Sequence, residues 1–393
     1  MVDCHDFELR NLRFHGNRTG REESEEPAHS VLLLGCKDFR LSNIHVEDPV
    51  VDGFYFGYEG SDPLQAICEN GVVENCSTRG AWRCGAGVIN ARNLSFVDCR
   101  FTEGGVDGTL PKCGVDVESD ADAPRPSLEN IQFTRVEFSD NIGYGLQLSS
   151  SKDPEAVTVS DCWFENNVRG GILVETNDAV IRGCRFRNFS APDSTRRGTI
   201  DIPAADNARS IRIEGNLFQN IHTKKPTIFV HSLCGGPVLI RGNIFENVYS
   251  ALSIWKDDVI VSNNVIQGSI STPIICYANR CLFDGNRISN ATEAAFFVHG
   301  EGNKILNNFI TDTIISSDDY GTIVLANSRS DIRGNHLELT EPNRNAYAVR
   351  VDSEADVSFL KNNILIGYGD SDPTPSIYFH GEPTGFVGDN IED

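Results

Sequence analysis

The stretch Ser210–Ile221 reads SIRIEGNLFQNI, and a little further on Pro237–Val248 reads PVLIRGNIFENV. The phrase returns as DVIVSNNVIQG, NRISN, NKILNNFITDT, DIRGNHLELT, VSFLKNNILIG and FVGDNIED. Its central residue is Asn216, Asn243, Asn264, Asn286, Asn308, Asn335, Asn363 and Asn390. Before that Asn, apolar and polar residues alternate (Ile211, Ile213), as in a half-buried strand. A Gly-Asn or Asn-Asn pair then turns the chain. Earlier segments keep the frame with Cys in place of Asn: VVENCS (Cys76), SFVDCRF (Cys99), TVSDCWF (Cys162) and VIRGCRF (Cys184). Two opening segments, Cys4–Phe14 and Cys36–Val46, fit as well.

A repeat of about 25 residues with strand periodicity and no helical pattern leaves few architectures. The leucine-rich consensus is absent, and a propeller blade is longer, about 40–50 residues. What fits is an all-β parallel β-helix of roughly 12–14 coils, in which like residues stack. Stacked Asn side chains can hydrogen-bond along their ladder, so the repeated Asn reads as architecture rather than chemistry.

On this phrase, the whole chain resembles the right-handed parallel β-helix repeat proteins of the pectin-lyase-like superfamily. The stretch Arg83–Asp120 also resembles coils of carbohydrate-active and tailspike-like members. The resemblance implies polysaccharide lyases, glycoside hydrolases, epimerases, fructotransferases and phage adhesins. Subfamily motifs narrow this. Asp257-Asp258 and Asp318-Asp319 are present, but the G-H-G and R-I-K of polygalacturonases are not. The D-P-H-E of mannuronan epimerases has only a partial counterpart in Asp153-Pro154-Glu155, and the W-x-D-H of pectate lyases is missing.

Stacked coils bury one continuous core, so residues 1–393 read as a single domain. Polar loops are expected at Arg18–Pro27, Gly104–Lys112, Ser119–Pro126 and Ala191–Arg197. Lys and Arg number 34 against 56 Asp and Glu, a net charge of −22. That charge repels nucleic acid and anionic membranes, and its plainest reading is solubility. Of 12 Cys, those in the repeat frame read as small apolar core residues. No C-x-x-C pair or Cys/His zinc spacing occurs, so no metal site is expected. So many core thiols fit a reducing, cytoplasmic compartment, or a domain trimmed from a secreted or phage protein. The opening MVDCHDFEL has neither the basic nor the apolar region of a leader.

A second strand phrase recurs in each coil, from GFYFG (Gly53) through GAGVI (Gly85), GVDVE (Gly114), GLQLS (Gly145), GILVE (Gly171) and TIDIP (Thr199) to SIYFH (Ser376). Its second and fourth residues point inward, so its third and fifth form one outward face. Four carboxylates cluster there: Asp116, Glu118, Glu175 and Asp201. His231, Trp255, Tyr277 and His299 follow in later coils. Rings suit flat, CH-rich sugar faces, and carboxylates suit hydroxyl binding or acid–base work.

The expected function is therefore that of a glycoside hydrolase or transglycosylase acting on a polysaccharide or oligosaccharide. The four carboxylates are the catalytic candidates. Arg83, Gln147, His231, Trp255, Tyr277 and His299 are the substrate contacts. Two alternatives stand: a polysaccharide lyase or epimerase, which wants more cations than this face offers, and a non-catalytic adhesin or tailspike-like protein. No cofactor is expected, although Asp116 and Glu118 with Asp120 and Asp122 could hold Ca²⁺; a solvated acidic loop is the plainer reading of those residues. Leu173, Ile275, Phe297 and Val324 also fall on the outward face, so loops or a partner should cover them, with a homotrimer the expected assembly.

Overall fold

The computed structural model describes residues 1–18, 28–58, 67–106, 108–119, 128–150, 155–190, 198–205, 208–313, 321–343, 347–352, 355–368, 376–380 and 386–392. Most of Arg18–Pro27 and Ser119–Pro126, both of the pairs Asp318-Asp319 and Asp153-Pro154, and the whole of Ala191–Arg197 fall outside these residues. Among the described residues the regular elements are all strands. They form two compact units, Met1–Arg212 and Ile213–Asp393.

In the first unit each coil contributes to three parallel sheets. The first sheet stacks Cys68–Glu74, Ala91–Val97 and Leu128–Thr134 in turn. The second stacks Ser77–Arg79, Arg100–Thr102 and Glu137–Ser139. The third stacks Phe54–Gly57, Ala86–Val88, Val115–Ser119, Tyr144–Ser150, Gly170–Val174 and Ile200–Ile202. The opening segments pair as expected, His5 against Lys37 through His15 against Glu47. Phenylalanines two residues past the turn stack inside, with Phe138–Phe164 and Phe164–Phe186 centroids 4.8 and 4.7 Å apart.

The repeated phrase can now be decoded. Its first turn residue lies in the left-handed region: Asn75 (φ 51°), Asp98 (53°), Gly242 (62°), Asn263 (54°) and Gly285 (66°). Gly, Asn and Asp enter that region at the least steric cost. The reversal turns the next residue inward. In the second unit that residue is Asn, and the ladder is continuous: each Nδ2 donates to the Oδ1 of the next, Asn243 to Asn264, Asn264 to Asn286 and Asn286 to Asn308, all at 3.0 Å. Each Nδ2 also donates to a carbonyl of the preceding coil, as Asn264 does to Ile240 O at 3.0 Å. In the first unit the Cys thiols make the second kind of bond, Cys99 to Val73 O at 3.4 Å and Cys162 to Phe133 O at 3.6 Å, and they also meet along the ladder, Cys76 with Cys99 and Cys162 with Cys184. Cys76, Cys99, Cys162 and Cys184 are all buried, so the two residue types occupy one architectural position.

Candidate functional site on the third sheet

The alignment of the third-sheet strands holds at each pair. In the first unit the third-position residues face each other in the order Tyr55, Gly87, Asp116, Gln147, Leu173, Asp201. In the second the order is Phe229, Ser253, Ile275, Phe297, Val324, Arg350, Tyr378. The inward second and fourth positions, such as Val115, Val117, Ile172 and Val174, are fully buried. The outward face is more enclosed than alternation alone predicts. Leu173, Ile275 and Phe297 are half-buried, and Val324 is 3% exposed, so the chain itself covers Val324.

The structure brings the four carboxylates into one electrostatic neighbourhood. Asp116 and Glu118 share a strand and a hydrogen bond. Asp116 is 6% exposed, while Glu118 is exposed. Burial, then the charges of Glu118 and Asp52, push the Asp116 carboxyl well above the usual carboxylate range. Its Oδ1 is buried with no hydrogen-bond partner, which favours the neutral acid over the anion. Ser149 lies opposite Glu118 on the next strand and accepts from Gln147 Nε2 at 3.1 Å. Glu175 comes one strand further, its amide bonded to Leu148 O at 2.7 Å. Burial, then the charges of Asp201 and Glu118, raise the Glu175 carboxyl as well. Asp201 is 3% exposed, and its Oδ2 accepts the Tyr144 hydroxyl at 3.0 Å.

Two features escaped the sequence. Tyr144 reaches Asp201 because Gly170 lies opposite it; a Cβ there would meet the Tyr144 ring at 2.8 Å. The pairing of a Tyr with a Gly in adjacent coils is the one signal that could have found it. The other is Asp52, fully buried and held by Arg83 Nη2 at 2.5 Å, Arg83 Nε at 3.1 Å and the Cys84 amide at 3.0 Å. His29 Nδ1 lies 3.2 Å from Asp52 Oδ2, and its ring stacks on Tyr55 at 4.2 Å. Burial opposes the Asp52 charge, but His29 and Arg83 outweigh it and hold the carboxyl below its ordinary value. This corrects the reading of Arg83 as a substrate clamp. Its guanidinium is engaged in a bidentate pair with Asp52, and it influences Asp116 only through its field. Gly87, opposite Asp116, leaves room for this cluster: a Cβ there would lie 3.2 Å from the Tyr55 ring and 3.4 Å from Asp52 Oδ2.

In the second unit, rings run along the outward face of its own strands. Trp255 and Tyr277 are 44% and 42% exposed, with centroids 4.7 Å apart. Tyr277 lies 5.9 Å from His299 and 6.0 Å from Phe297. Trp255 Nε1 donates to Ser253 Oγ at 3.1 Å. His231 instead serves its own turn, its Nδ1 accepting the Leu233 amide at 3.3 Å. Asp120 and Asp122, the remaining members of the Ca²⁺ set, lie outside the described residues. A cleft of about 670 Å³ lies elsewhere in the first unit, on the second sheet, lined among others by Arg79, Arg100, Glu103 and Glu137. Those four pair as Arg79–Glu103 and Arg100–Glu137, so the cleft's charges largely satisfy one another.

The coils, the turn phrase and the inner ladder define a solenoid of parallel strands. The chain belongs to the right-handed β-helix family, whose model, described as the right-handed beta helix region, matches residues 1–191 and 111–266. It is similar to the SPbeta prophage-derived protein YorA of Bacillus subtilis (strain 168), 22% identical over 162 residues, which are 40% of this chain and 24% of that protein. The chain thus spans about a quarter of that relative's length. Among solved structures it is similar to the tailspike protein of E. coli bacteriophage HK620 in complex with a hexasaccharide, with a TM-score of 0.57 and 13% identity over 89% of this chain and 69% of that one. The same tailspike with a pentasaccharide gives a TM-score of 0.56 at 13% identity, with the same coverage. At these identities the likeness speaks to the fold alone.

Proposed function

We propose that the protein is a carbohydrate-active β-helix protein that cleaves or rearranges glycosidic bonds at the third-sheet carboxylates. The observation that carries this reading is the pairing of Asp116 with Glu118, one buried and one exposed, facing Glu175 across Ser149. The pair holds a proton that solvent-facing Glu118 can deliver to a leaving glycosidic oxygen. Glu175, with its raised carboxyl, takes a proton from water on the other side. Glu118 and Glu175 are two strands apart, about 10 Å between backbones at the ~4.8 Å strand spacing. Side chains leaning together reach the ~6.5–9.5 Å carboxyl separation of an inverting enzyme, which leaves room for that water. Asp201, fixed by Tyr144, helps keep the Glu175 carboxyl raised through its charge. The oligosaccharides bound by the similar tailspike support a glycan as the partner.

A polysaccharide panel assayed for new reducing ends tests this. Turnover lost in both Glu118→Gln and Glu175→Gln, with unchanged melting, is the expected result; full activity in both would overturn it. A second reading, a non-catalytic glycan-binding protein, is favoured by the exposed Trp255–Tyr277 pair. It prevails if the wild type binds a glycan and turns over none.

A further inference from the structure

Between Glu118 and Glu175 lies a serine. Ser149 stands in register with Glu118 on the strand before it. Toward the strand after it the register runs Gln147 to Leu173 and Leu148 to Val174, which sets Ser149 level with Glu175. The fold does not call for a serine there, since the same register carries Ile89 and Pro203 in the coils beyond. Serine is also short. The glutamates on either side are longer by a methylene and a carboxyl oxygen, so the row Glu118, Ser149, Glu175 steps down at its centre. Ser149 is 7% exposed, while Glu118 is exposed and Glu175 half-buried.

The Ser149 hydroxyl is held but not used up. Gln147 Nε2 donates to Ser149 Oγ at 3.1 Å along the same strand. That bond takes one lone pair. The hydroxyl proton and the second lone pair meet no other partner among the described residues. A hydroxyl so enclosed is costly to leave half-bonded unless a small polar molecule serves it. The Tyr144 hydroxyl, by contrast, is spent on Asp201 Oδ2 at 3.0 Å.

We infer that Ser149 holds the water that attacks the anomeric carbon, and that Gln147 positions Ser149 for it. The inference rests on the hydrolysis proposed at Glu118 and Glu175. Water over Ser149 gives one proton to the Glu175 carboxylate and the other to the open lone pair of Ser149 Oγ, which turns a lone pair of the water toward the sugar. The water oxygen bonds to the anomeric carbon as the glycosidic C–O bond breaks. The leaving oxygen takes the proton of Glu118, and a water proton passes to Glu175. Proton exchange with solvent restores both carboxyls. Ser149 transfers no proton; it sets the direction of attack.

The test uses the panel glycan that the wild type cleaves, and the nitrophenyl glycoside of the sugar at the cleaved bond. Ser149→Ala should lower kcat about 100-fold, the scale of a misplaced reactant, with KM and melting temperature unchanged. Glu118→Gln should recover most of its lost rate on the nitrophenyl glycoside, whose leaving group needs no proton. Ser149→Ala should recover none, because its water is still misplaced. Gln147→Leu should lower kcat by less, and adding it to Ser149→Ala should change nothing further, as for a residue that acts through its neighbour. Full kcat in Ser149→Ala, a loss confined to KM, or recovery of that variant on the nitrophenyl glycoside overturns the assignment and leaves the roles of Glu118 and Glu175 standing. A further loss in the double variant overturns the role of Gln147. Full activity in both Glu118→Gln and Glu175→Gln, or a wild type that cleaves no glycan, overturns the proposed hydrolysis and this assignment with it.

Discussion

Asn264→Ala tests the inner ladder where it is most enclosed. Asn264 is fully buried and takes part in four side-chain hydrogen bonds. Its Nδ2 donates to Ile240 O and to Asn286 Oδ1, both at 3.0 Å. Its Oδ1 accepts the Asn243 amide at 2.9 Å and Asn243 Nδ2 at 3.0 Å. Alanine removes all four and brings no replacement into a site closed to water. At a net ~1 kcal/mol per bond, the loss is about 4 kcal/mol. For a cooperative unit of 150–250 residues, ~1 kcal/mol moves the melting temperature by roughly 2–4 °C, so calorimetry should show a fall of about 8–16 °C. Asn390 is the internal comparison. It ends the ladder half-exposed, accepting from Asn363 at 3.0 and 3.2 Å and donating to Leu360 O at 3.3 Å. Water can serve its partners, so Asn390→Ala should cost well under half as much. Equal losses at the two positions, or no loss at Asn264, would refute the ladder as a source of stability.

Three further predictions follow from the third sheet. Asp116→Asn removes a carboxyl whose folded-state value is raised, so the wild type binds an extra proton when folded and loses stability as pH rises above the ordinary 3.8; the variant should melt higher than wild type at pH 7 and the same below that value. Arg83→Leu strands the buried charge of Asp52 and should cost roughly 3–5 kcal/mol in denaturant titration, whereas a substrate-clamping arginine would leave stability unchanged. Trp255→Ala should weaken binding of a glycan ligand about tenfold by calorimetric titration, from the ~0.5–1.5 kcal/mol of ring packing plus the area lost; an unchanged affinity would remove the exposed ring pair from the binding surface.

The sequence alone determined the coil, its register and the outward face. Strand alternation and the Gly/Asn turn are local rules, written into each coil by residues a few positions apart, and the stacking repeats them. That is why the order Tyr55, Gly87, Asp116, Gln147, Leu173, Asp201 could be read before any strand was paired. The tertiary structure alone decided what each outward residue does. Asp116 and Glu118 obey the same alternation on one strand, yet one is buried and the other exposed. The difference comes from Asp52, Arg83 and Tyr55, which occupy the space that Gly87 leaves open. Asp201 meets Tyr144 across 57 residues of chain, and Arg83 meets Asp52 across 31. Such meetings depend on how far a side chain reaches over its neighbouring coils and on which of those coils carries a glycine, and no period in the sequence records either.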